Sequence, residues 1–185
     1  MPASQLVNPW VTLVVGGSRS GKSQYAQTLA ETLCPRPAYL ATSEILDPEM
    51  AERVRLHRSQ RGPRWVTLEE PIEIAPLLLK PRDGYDGFLV DCMTLWLSNV
   101  LLKEGLTAIP ARKQQLMDAL RQVDGPVILV TNEVGMGIVP DNALARDFRD
   151  QAGWLNQDLA TLAGRVVWVA VGLPQYLKGT PPCVD

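Results

Sequence analysis

The eight residues from Gly16 to Ser23, which read GGSRSGKS, constrain the fold of this chain more than any other segment. They match the pattern GxxxxGK[ST] and lie between an apolar β-branched run, Val11–Val15, and a stretch with helical periodicity from about Lys22 to Leu33. Glycines let the backbone curl so that successive N–H groups point at one anion, at a helix N-terminus whose dipole favours negative charge. A glycine-rich turn with an incidental lysine is the alternative, and the strand and helix on either side argue against it.

We therefore predict a phosphate-binding loop that holds a nucleoside triphosphate. Lys22 is expected to contact the β- and γ-phosphates, and the Ser23 hydroxyl is expected to be a magnesium ligand. The predicted nucleotide-binding residues of the loop are Gly16, Gly17, Ser18, Arg19, Ser20, Gly21, Lys22 and Ser23.

β-Branched runs alternate with helical stretches along the rest of the chain, which predicts an α/β fold with a mainly parallel sheet. One domain is expected over residues 1–185, with residues 1–10 as an N-terminal extension and about 178–185 as a tail. The proline-rich end beyond Gly172 is expected to be loosely held. Strands are predicted at 11–15, 38–42, 65–68, 87–91, 126–131 and 165–171, and helices at about 22–33, from Asp47 to before Gly62, and at 72–79, 93–103, 111–123 and 141–163.

Composition limits the class of partner. The net charge of −2 is not the clustered positive charge of a nucleic-acid-binding protein. No apolar run approaches the roughly 20 residues that span a bilayer, and the first ten residues do not form a secretory signal. Three scattered cysteines and one histidine indicate neither a disulfide framework nor a zinc site, so we expect a cytoplasmic protein.

Asp91 ends the predicted buried strand 87–91. A carboxylate at the carboxyl end of a strand lies on the side where open α/β sheets bind ligands, and there it can help to hold magnesium. We predict that Asp91 is a second magnesium and nucleotide contact. The alternative is an aspartate that caps the helix beginning near Met93.

Glu133 follows another predicted buried strand, in the segment Thr131-Asn132-Glu133. Its carboxylate is either a general base for an attacking hydroxyl or a turn residue, and the sequence favours neither.

The only histidine, His57, lies among arginines. If the segment is helical, Arg53, His57 and Arg61 share one face, and Arg58 adjoins it. Guanidinium groups bind phosphate, and nearby cations disfavour the charged imidazolium, which leaves a neutral nitrogen that can attack phosphorus. A solvated basic face with an incidental histidine is the alternative.

Several blocks together resemble one family, the bifunctional adenosylcobinamide kinases and adenosylcobinamide-phosphate guanylyltransferases of cobalamin biosynthesis. The resemblance extends in order from about Val11 to Leu177, and the segment from Thr131 to Pro140 is far more specific than the phosphate-binding loop. The blocks are 16–23, Tyr39–Ser43, Arg53-x3-His57-Arg58-x2-Arg61, Trp65-x-Thr67-x-Glu69, 131–140 and 144–157.

This resemblance implies a RecA-like P-loop NTPase sheet flanked by helices, a homotrimer and two reactions. A nucleoside triphosphate, ATP or GTP, phosphorylates adenosylcobinamide. GTP then guanylylates a histidine, here His57, and the GMP passes to adenosylcobinamide phosphate. Lys22 and Glu133 complete the expected catalytic set. Beyond the loop, the implied GTP contacts are Thr42, Ser43, Glu44, Arg58, Ser59, Gln60, Arg61, Glu69 and Asp91.

The chain departs from the family pattern at two of these positions. Ser18 replaces an alanine that is often found in the loop, which should be harmless because backbone N–H groups bind the phosphates. Asp91 stands where some members have glutamate, so its reach is one methylene shorter.

Two other functions compete with this prediction. A simple P-loop kinase of another small metabolite would need no histidine nucleophile. A GTPase-type switch that binds a partner protein usually reads guanine with an Asn-Lys-x-Asp stretch, which this chain lacks.

Overall fold

The structure is a computed structural model that describes residues 7–43, 61–80 and 82–182 of the 185-residue chain. The helix predicted to open at Asp47, and with it His57, lies outside these residues. The described strands are β1 (Asn8–Gly16), β2 (Pro37–Ala41), β3 (Val66–Glu69), β4 (Gly87–Asp91), β5 (Val127–Asn132), β6 (Ala163–Ala170) and β7 (Leu173–Lys178). The described helices are α1 (Lys22–Leu33), α2 (Ile74–Leu79), α3 (Met93–Glu104), α4 (Ile109–Gln122) and α5 (Ala143–Leu162), with a short 3₁₀ turn at Leu106–Ala108.

The strands form a single sheet in the order β3-β2-β4-β5-β1-β6-β7. All neighbouring pairs are parallel except β6 and β7, which run antiparallel. The predicted α/β fold with a mainly parallel sheet flanked by helices is confirmed. β5 lies between β1, which precedes the glycine-rich loop, and β4, which ends in Asp91. These two strands are therefore separated by a single strand.

Helices cover both faces of the sheet. Side chains alternate across a strand, so Leu13 packs into the layer with α2 to α5 while its neighbour Val14 packs into the layer with α1. On β5, Leu129 packs into the layer with α2 to α5, and Ile128 packs into the layer with α1. Because both faces are buried, the central strands are nearly continuous apolar runs, which is why they were recognisable in the sequence.

The sheet begins three residues before the predicted Val11. Asn8 is buried, and its side-chain Nδ2 donates to the carbonyl oxygens of Leu120 and Val123, both at 2.8 Å. These bonds satisfy carbonyls at the end of α4, where the helix offers no further N–H groups. Residues 8–10 of the predicted N-terminal extension therefore belong to β1.

The prediction of a loosely held tail directly after Gly172 was wrong. Val171 and Gly172 have φ values of 49° and 82°, and a two-residue turn with both values positive is the hairpin connection that matches strand twist. The turn sends Leu173–Lys178 back along β6 as β7. Pro174, which lacks an N–H group, is tolerated because β7 is the edge strand.

Among the described residues, no helix combines the length and the apolar composition that a bilayer crossing requires.

The hairpin turn generates a stability prediction. A β-branched residue is strained at the positive φ of Val171, whereas asparagine tolerates that conformation. We expect Val171→Asn to raise the free energy of unfolding by about 1 kcal/mol, measured by urea denaturation. The control is Val171→Thr, which keeps the β-branch and should bring no gain. Equal stabilities of the two variants would contradict the strain argument.

Candidate active site

The glycine-rich loop joins β1 to α1 as predicted. Gly21, at φ 92°, is the residue before the first turn of α1, and no side chain caps the helix there. Gly16 has no room for a side chain, because a Cβ would lie 2.5 Å from both the Ser20 Oγ and the Val169 carbonyl oxygen. The first N–H groups of α1 are thus uncapped by any side chain, at the positive end of the helix dipole. This arrangement is suited to binding an anion.

Lys22 lies over this loop. Its side chain is buried, and the Nζ atom donates a hydrogen bond of 3.1 Å to the Gly17 carbonyl oxygen. A lysine folded back onto the loop places its ammonium charge beside the uncapped N–H groups. This is the position predicted for a cation that contacts the terminal phosphates.

Ser20 has a buried Oγ atom with no hydrogen-bond partner in the described part of the chain. Buried hydroxyl groups are rarely left unsatisfied, and the exceptions call for a bound ligand, ion or water. Since the atom lies inside the loop, a bound polyphosphate with its counter-ion would account for it. Ser23, in the first turn of α1, is half-buried.

Asp91 lies at the carboxyl edge of the sheet, in register with Ala41 on one side and Val130 on the other. The Tyr39 hydroxyl donates to its Oδ2 atom at 3.2 Å. Burial, followed by the Asp91 carboxylate, raises the pKa of Tyr39 far above its ordinary value, so the phenol stays a donor. Asp91 is two strand spacings, about 10 Å, from the β1 line. A ligand that bridges them must therefore bind across the end of β5.

Arg61 and Glu69 lie on one cavity at the β3 edge. The cavity has a volume of about 590 Å³ and is lined by Arg61, Gly62, Trp65, Thr67, Leu68 and Glu69. The Arg61 guanidinium stacks 3.5 Å from the centre of the Tyr39 ring, whose hydroxyl binds Asp91. Tyr39 therefore connects two predicted nucleotide contacts. The role of Tyr39 was not predicted, because the pairing of β2 with β4 that brings it to Asp91 is seen only in the structure.

Thr42 is fully buried, and its hydroxyl is engaged by the protein itself. The Oγ1 atom donates to the Cys92 carbonyl oxygen at 2.8 Å and accepts from the Cys92 N–H at 2.9 Å. Its own N–H donates to the Asp91 carbonyl oxygen at 3.3 Å. Thr42 thus fixes the backbone around Asp91, and direct contact with GTP stays a prediction. Ser43, the next residue, is half-buried.

Glu133 adopts the turn role that the sequence left open. Its Oε1 atom accepts from the Gly135 N–H at 2.6 Å, and its own N–H donates to the Gly16 carbonyl oxygen at 3.1 Å. The residue therefore lies beside the start of the phosphate-binding loop. Its role as a general base stays a prediction.

A polar network behind this turn was not foreseen. Thr131 donates to the Asn156 Oδ1 at 2.8 Å, Asn156 Nδ2 donates to the Asn132 carbonyl at 3.2 Å, and the Asn132 N–H donates to the Thr94 Oγ1 at 2.8 Å. It joins α3, β5 and α5 at the carboxyl edge. The signal was Asn156 itself, a polar residue among the inward-facing apolar positions of α5.

Burial disfavours a nucleophilic role for the two described cysteines. Burial raises the pKa of both the Cys34 and the Cys92 thiols to about 11, and the carboxylate of Asp91 adds to the effect at Cys92. Neutral thiols attack phosphorus poorly.

Five of the predicted site residues lie outside the described part of the chain. They are Glu44, His57, Arg58, Ser59 and Gln60.

The mainly parallel sheet, the uncapped loop with its buried lysine and the nearby strand-end carboxylate define a P-loop nucleotide-binding protein. The chain belongs to the cobinamide kinase / cobinamide phosphate guanyltransferase family, whose model matches residues 12–177.

Curated relatives agree with this assignment. The bifunctional adenosylcobalamin biosynthesis protein CobP of Pseudomonas aeruginosa is 41% identical over 169 residues, which cover 91% of this chain and 98% of that protein. The corresponding CobU proteins of Salmonella typhimurium and Escherichia coli are each 40% identical over 179 residues, 90% of this chain and 98% of theirs.

Two solved structures are more distant. They are the RadB recombinase (18% identity, TM-score 0.45, covering 88% of this chain and 75% of that chain) and the P4 protein of bacteriophage phi6 in complex with ADP (17%, 0.45, 95% and 58%). At these scores they add nothing to the assignment.

The engaged hydroxyl of Thr42 can be tested by substitution. Thr42→Val keeps the shape but leaves the Cys92 N–H and C=O groups without their partner, so we expect a loss of about 2 kcal/mol in the free energy of unfolding. Thr42→Ser keeps the hydroxyl, loses one buried methyl and should cost about 1 kcal/mol. Urea denaturation of both variants gives the comparison. A Thr42→Val protein at least as stable as Thr42→Ser would contradict the positioning role.

Proposed function

We propose that this protein is a bifunctional enzyme of cobalamin biosynthesis that acts on adenosylcobinamide. In the first reaction, ATP or GTP phosphorylates the hydroxyl of the aminopropanol arm. In the second, GMP from GTP is transferred to the new phosphate, which yields adenosylcobinamide-GDP and pyrophosphate. Family membership and bifunctional relatives at about 40% identity support both activities. A cytoplasmic location accords with the free, buried thiols of Cys34 and Cys92.

The observation on which the proposal depends most is the loop at residues 16–23. Its uncapped N–H groups and the buried Lys22 provide one polyphosphate site that both reactions can use. In the kinase step the acceptor oxygen attacks the γ-phosphorus, the bond to the bridging oxygen breaks, and the nucleoside diphosphate leaves. Lys22 would stabilise the charge that spreads over the phosphoryl oxygens. Glu133, beside the loop, is the proposed acceptor of the hydroxyl proton.

In the guanylyl step we propose His57 as the nucleophile. A neutral ring nitrogen attacks the α-phosphorus of GTP, and pyrophosphate leaves while still held by the loop. The phosphate oxygen of adenosylcobinamide phosphate then attacks the same phosphorus and breaks the nitrogen–phosphorus bond. A covalent intermediate divides one difficult displacement into two easier ones. The sequence context of arginines supports this role, and Arg61, the last of those arginines, stacks on Tyr39.

GTP recognition beyond the loop is proposed for Arg61 and Glu69, which share the cavity at the β3 edge. The same role is proposed for residues that the resemblance implies. These are Thr42, Ser43, Glu44, Arg58, Ser59, Gln60 and Asp91.

Magnesium is the proposed cofactor, with Ser23 and Asp91 as its protein ligands. Within the described ranges there is no cluster of three or more acidic, histidine or cysteine side chains that would bind a metal by protein atoms alone. Magnesium in nucleotide sites needs only one or two protein oxygens, because phosphates and water complete its shell. The Ser23 hydroxyl, the Asp91 carboxylate and the unpartnered Ser20 Oγ fit such a site. A bound ion would supply charge neutralisation at the phosphates.

The central test is a search for one GMP on the protein. After incubation with GTP and magnesium, mass spectrometry should show a single GMP added to His57, acid-labile and base-stable. His57→Ala should abolish the adduct, while its kinase step should remain measurable. Lys22→Met should reduce both reactions by at least a hundredfold, because they share the loop. A His57→Ala protein that labelled normally would overturn the assignment of His57 as the nucleophile, and a wild type without any adduct would leave only a simple P-loop kinase.

A homotrimer is the proposed assembly. The segment between β5 and α5, with the first turn of α5, presents Met136, Ile138, Val139 and Leu144 to solvent, and Ile138 is 97% exposed. Contiguous exposed apolar side chains on a soluble fold are typical of a protein interface. A second copy of the chain is therefore the proposed occupant of this surface.

Sedimentation velocity tests the assembly. The wild type should sediment at three times the 20.4 kDa chain mass. Ile138→Lys should dissociate it, because a buried charge without a partner is costly. Leu102→Lys is the matched control, since Leu102 is 70% exposed on α3 and lies outside this segment, and the variant should stay trimeric. A monomeric wild type, or an intact Ile138→Lys trimer, would contradict the proposal.

A further inference from the structure

The turn of the β6–β7 hairpin contacts the phosphate-binding loop through its backbone. The Gly172 N–H donates to the Ser20 carbonyl oxygen at 2.8 Å. A Cβ placed on Gly21 would lie 3.0 Å from the Gly172 Cα, so the two backbones are in close approach. Further along the hairpin, the Tyr176 hydroxyl lies 2.7 Å from the hydroxyl of Tyr25, in the first turn of α1. The hairpin therefore holds the loop at its last residues and holds the helix that follows.

This contact orients a peptide group. In a trans peptide the C=O and the following N–H point in opposite directions. Because the Ser20 carbonyl points to the hairpin, the Gly21 N–H points away from it. The same reasoning applies at the start of the loop, where the Gly16 carbonyl accepts from the Glu133 N–H and the Gly17 N–H points away from that bond. Carbonyls at both ends of the loop are tied to the scaffold, which leaves N–H groups for an anion.

The turn connects β6 to β7 and otherwise adds little to the core. Val171 and Leu173 are 89% and 69% exposed, so the hairpin tip buries little apolar surface. Val171 nevertheless sits in a strained conformation at φ 49°. Strain of this kind persists where the surrounding structure requires the geometry. Besides the connection between β6 and β7, the geometry here provides the hydrogen bond to the loop.

We propose that the β6–β7 hairpin positions the phosphate-binding loop, with Gly172 as the positioning residue that holds the Ser20–Gly21 peptide in its anion-binding orientation. The inference rests on the proposed function, because it takes the loop as the polyphosphate site. Gly172 does not touch the reacting atoms. It acts through the loop, so a substitution of Gly172 should weaken the binding of a polyphosphate even when the ligand carries no nucleobase.

The test uses inorganic pyrophosphate with magnesium as the probe, because this ligand needs neither the nucleobase nor His57. Gly172→Ala adds a methyl group into open space, so it acts only by disfavouring φ 82°. We expect it to weaken pyrophosphate binding about tenfold in isothermal titration calorimetry. Gly105→Ala is the matched control. Gly105 has φ 87° and equally open space at the end of α3, and this variant should bind within about twofold of the wild type.

A second variant separates backbone conformation from side-chain bulk. Gly172→Asn is larger than Gly172→Ala but tolerates positive φ, so it should recover most of the affinity. The expected order of affinity is wild type, then Gly172→Asn, then Gly172→Ala. Side-chain bulk alone would give the opposite order for the two variants, and Gly105→Ala shows how much a general loss of stability changes binding. Thermal melting of all variants shows that each is folded at the temperature of the titration.

The outcomes separate this inference from the proposed function. A wild type that fails to bind pyrophosphate overturns both. If the wild type binds, two results would overturn the positioning role alone. One is that Gly172→Ala binds pyrophosphate as tightly as Gly105→Ala, and the other is that Gly172→Asn binds it more weakly than Gly172→Ala. The expected order supports the positioning role.

Discussion

The in-register pairing of β5 between β1 and β4 is the constraint on which the rest of the site depends. Because these three strands are parallel, their carboxyl ends meet at one edge, and the loop after Gly16, the turn at Glu133 and the carboxylate of Asp91 emerge together. Apolar side chains on both faces hold this register, since a slip by one residue would turn every buried side chain to the wrong layer. The chemistry of the site therefore depends on a core that makes no contact with substrate.

Hydrogen bonds from backbone groups hold the loops at this edge of the sheet in place. Two carbonyls of the phosphate-binding loop accept N–H groups from neighbouring turns, and the buried hydroxyl of Thr42 links the end of β2 to the backbone beside Asp91. Both donors to the loop are backbone N–H groups, so at Gly172 the requirement is a residue that holds a positive φ, not a side-chain contact. These bonds hold a loop of small residues in place, and the Gly17 carbonyl of the same loop accepts a hydrogen bond from the Lys22 Nζ atom.

Much of the fold was predictable from the sequence. Buried parallel strands such as Gly87–Asp91 are continuous apolar runs, and α1 is bounded by a glycine and a proline, so both were located to the residue. The hairpin strand β7 was not predicted, because Leu173–Lys178 contains a proline and lies at an edge of the sheet, where the pattern of a buried strand is absent. The same limit applies to the site. Lys22, Ser23 and Asp91 stand in motifs, whereas Tyr39 and Asn156 take their roles from partners 52 and 25 residues away.

The sequence by itself determined the α/β class, the phosphate-binding loop and the family resemblance, because these depend on local patterns of glycine, lysine and apolar residues. Only the tertiary structure decided that the hairpin turn holds the loop, that Thr42 supports Asp91, and that Arg61 stacks on the tyrosine whose hydroxyl binds Asp91. Hydrogen bonds and ring contacts of this kind join residues far apart in the chain. They exist only once the packing of the sheet has brought those residues within a few ångströms of each other.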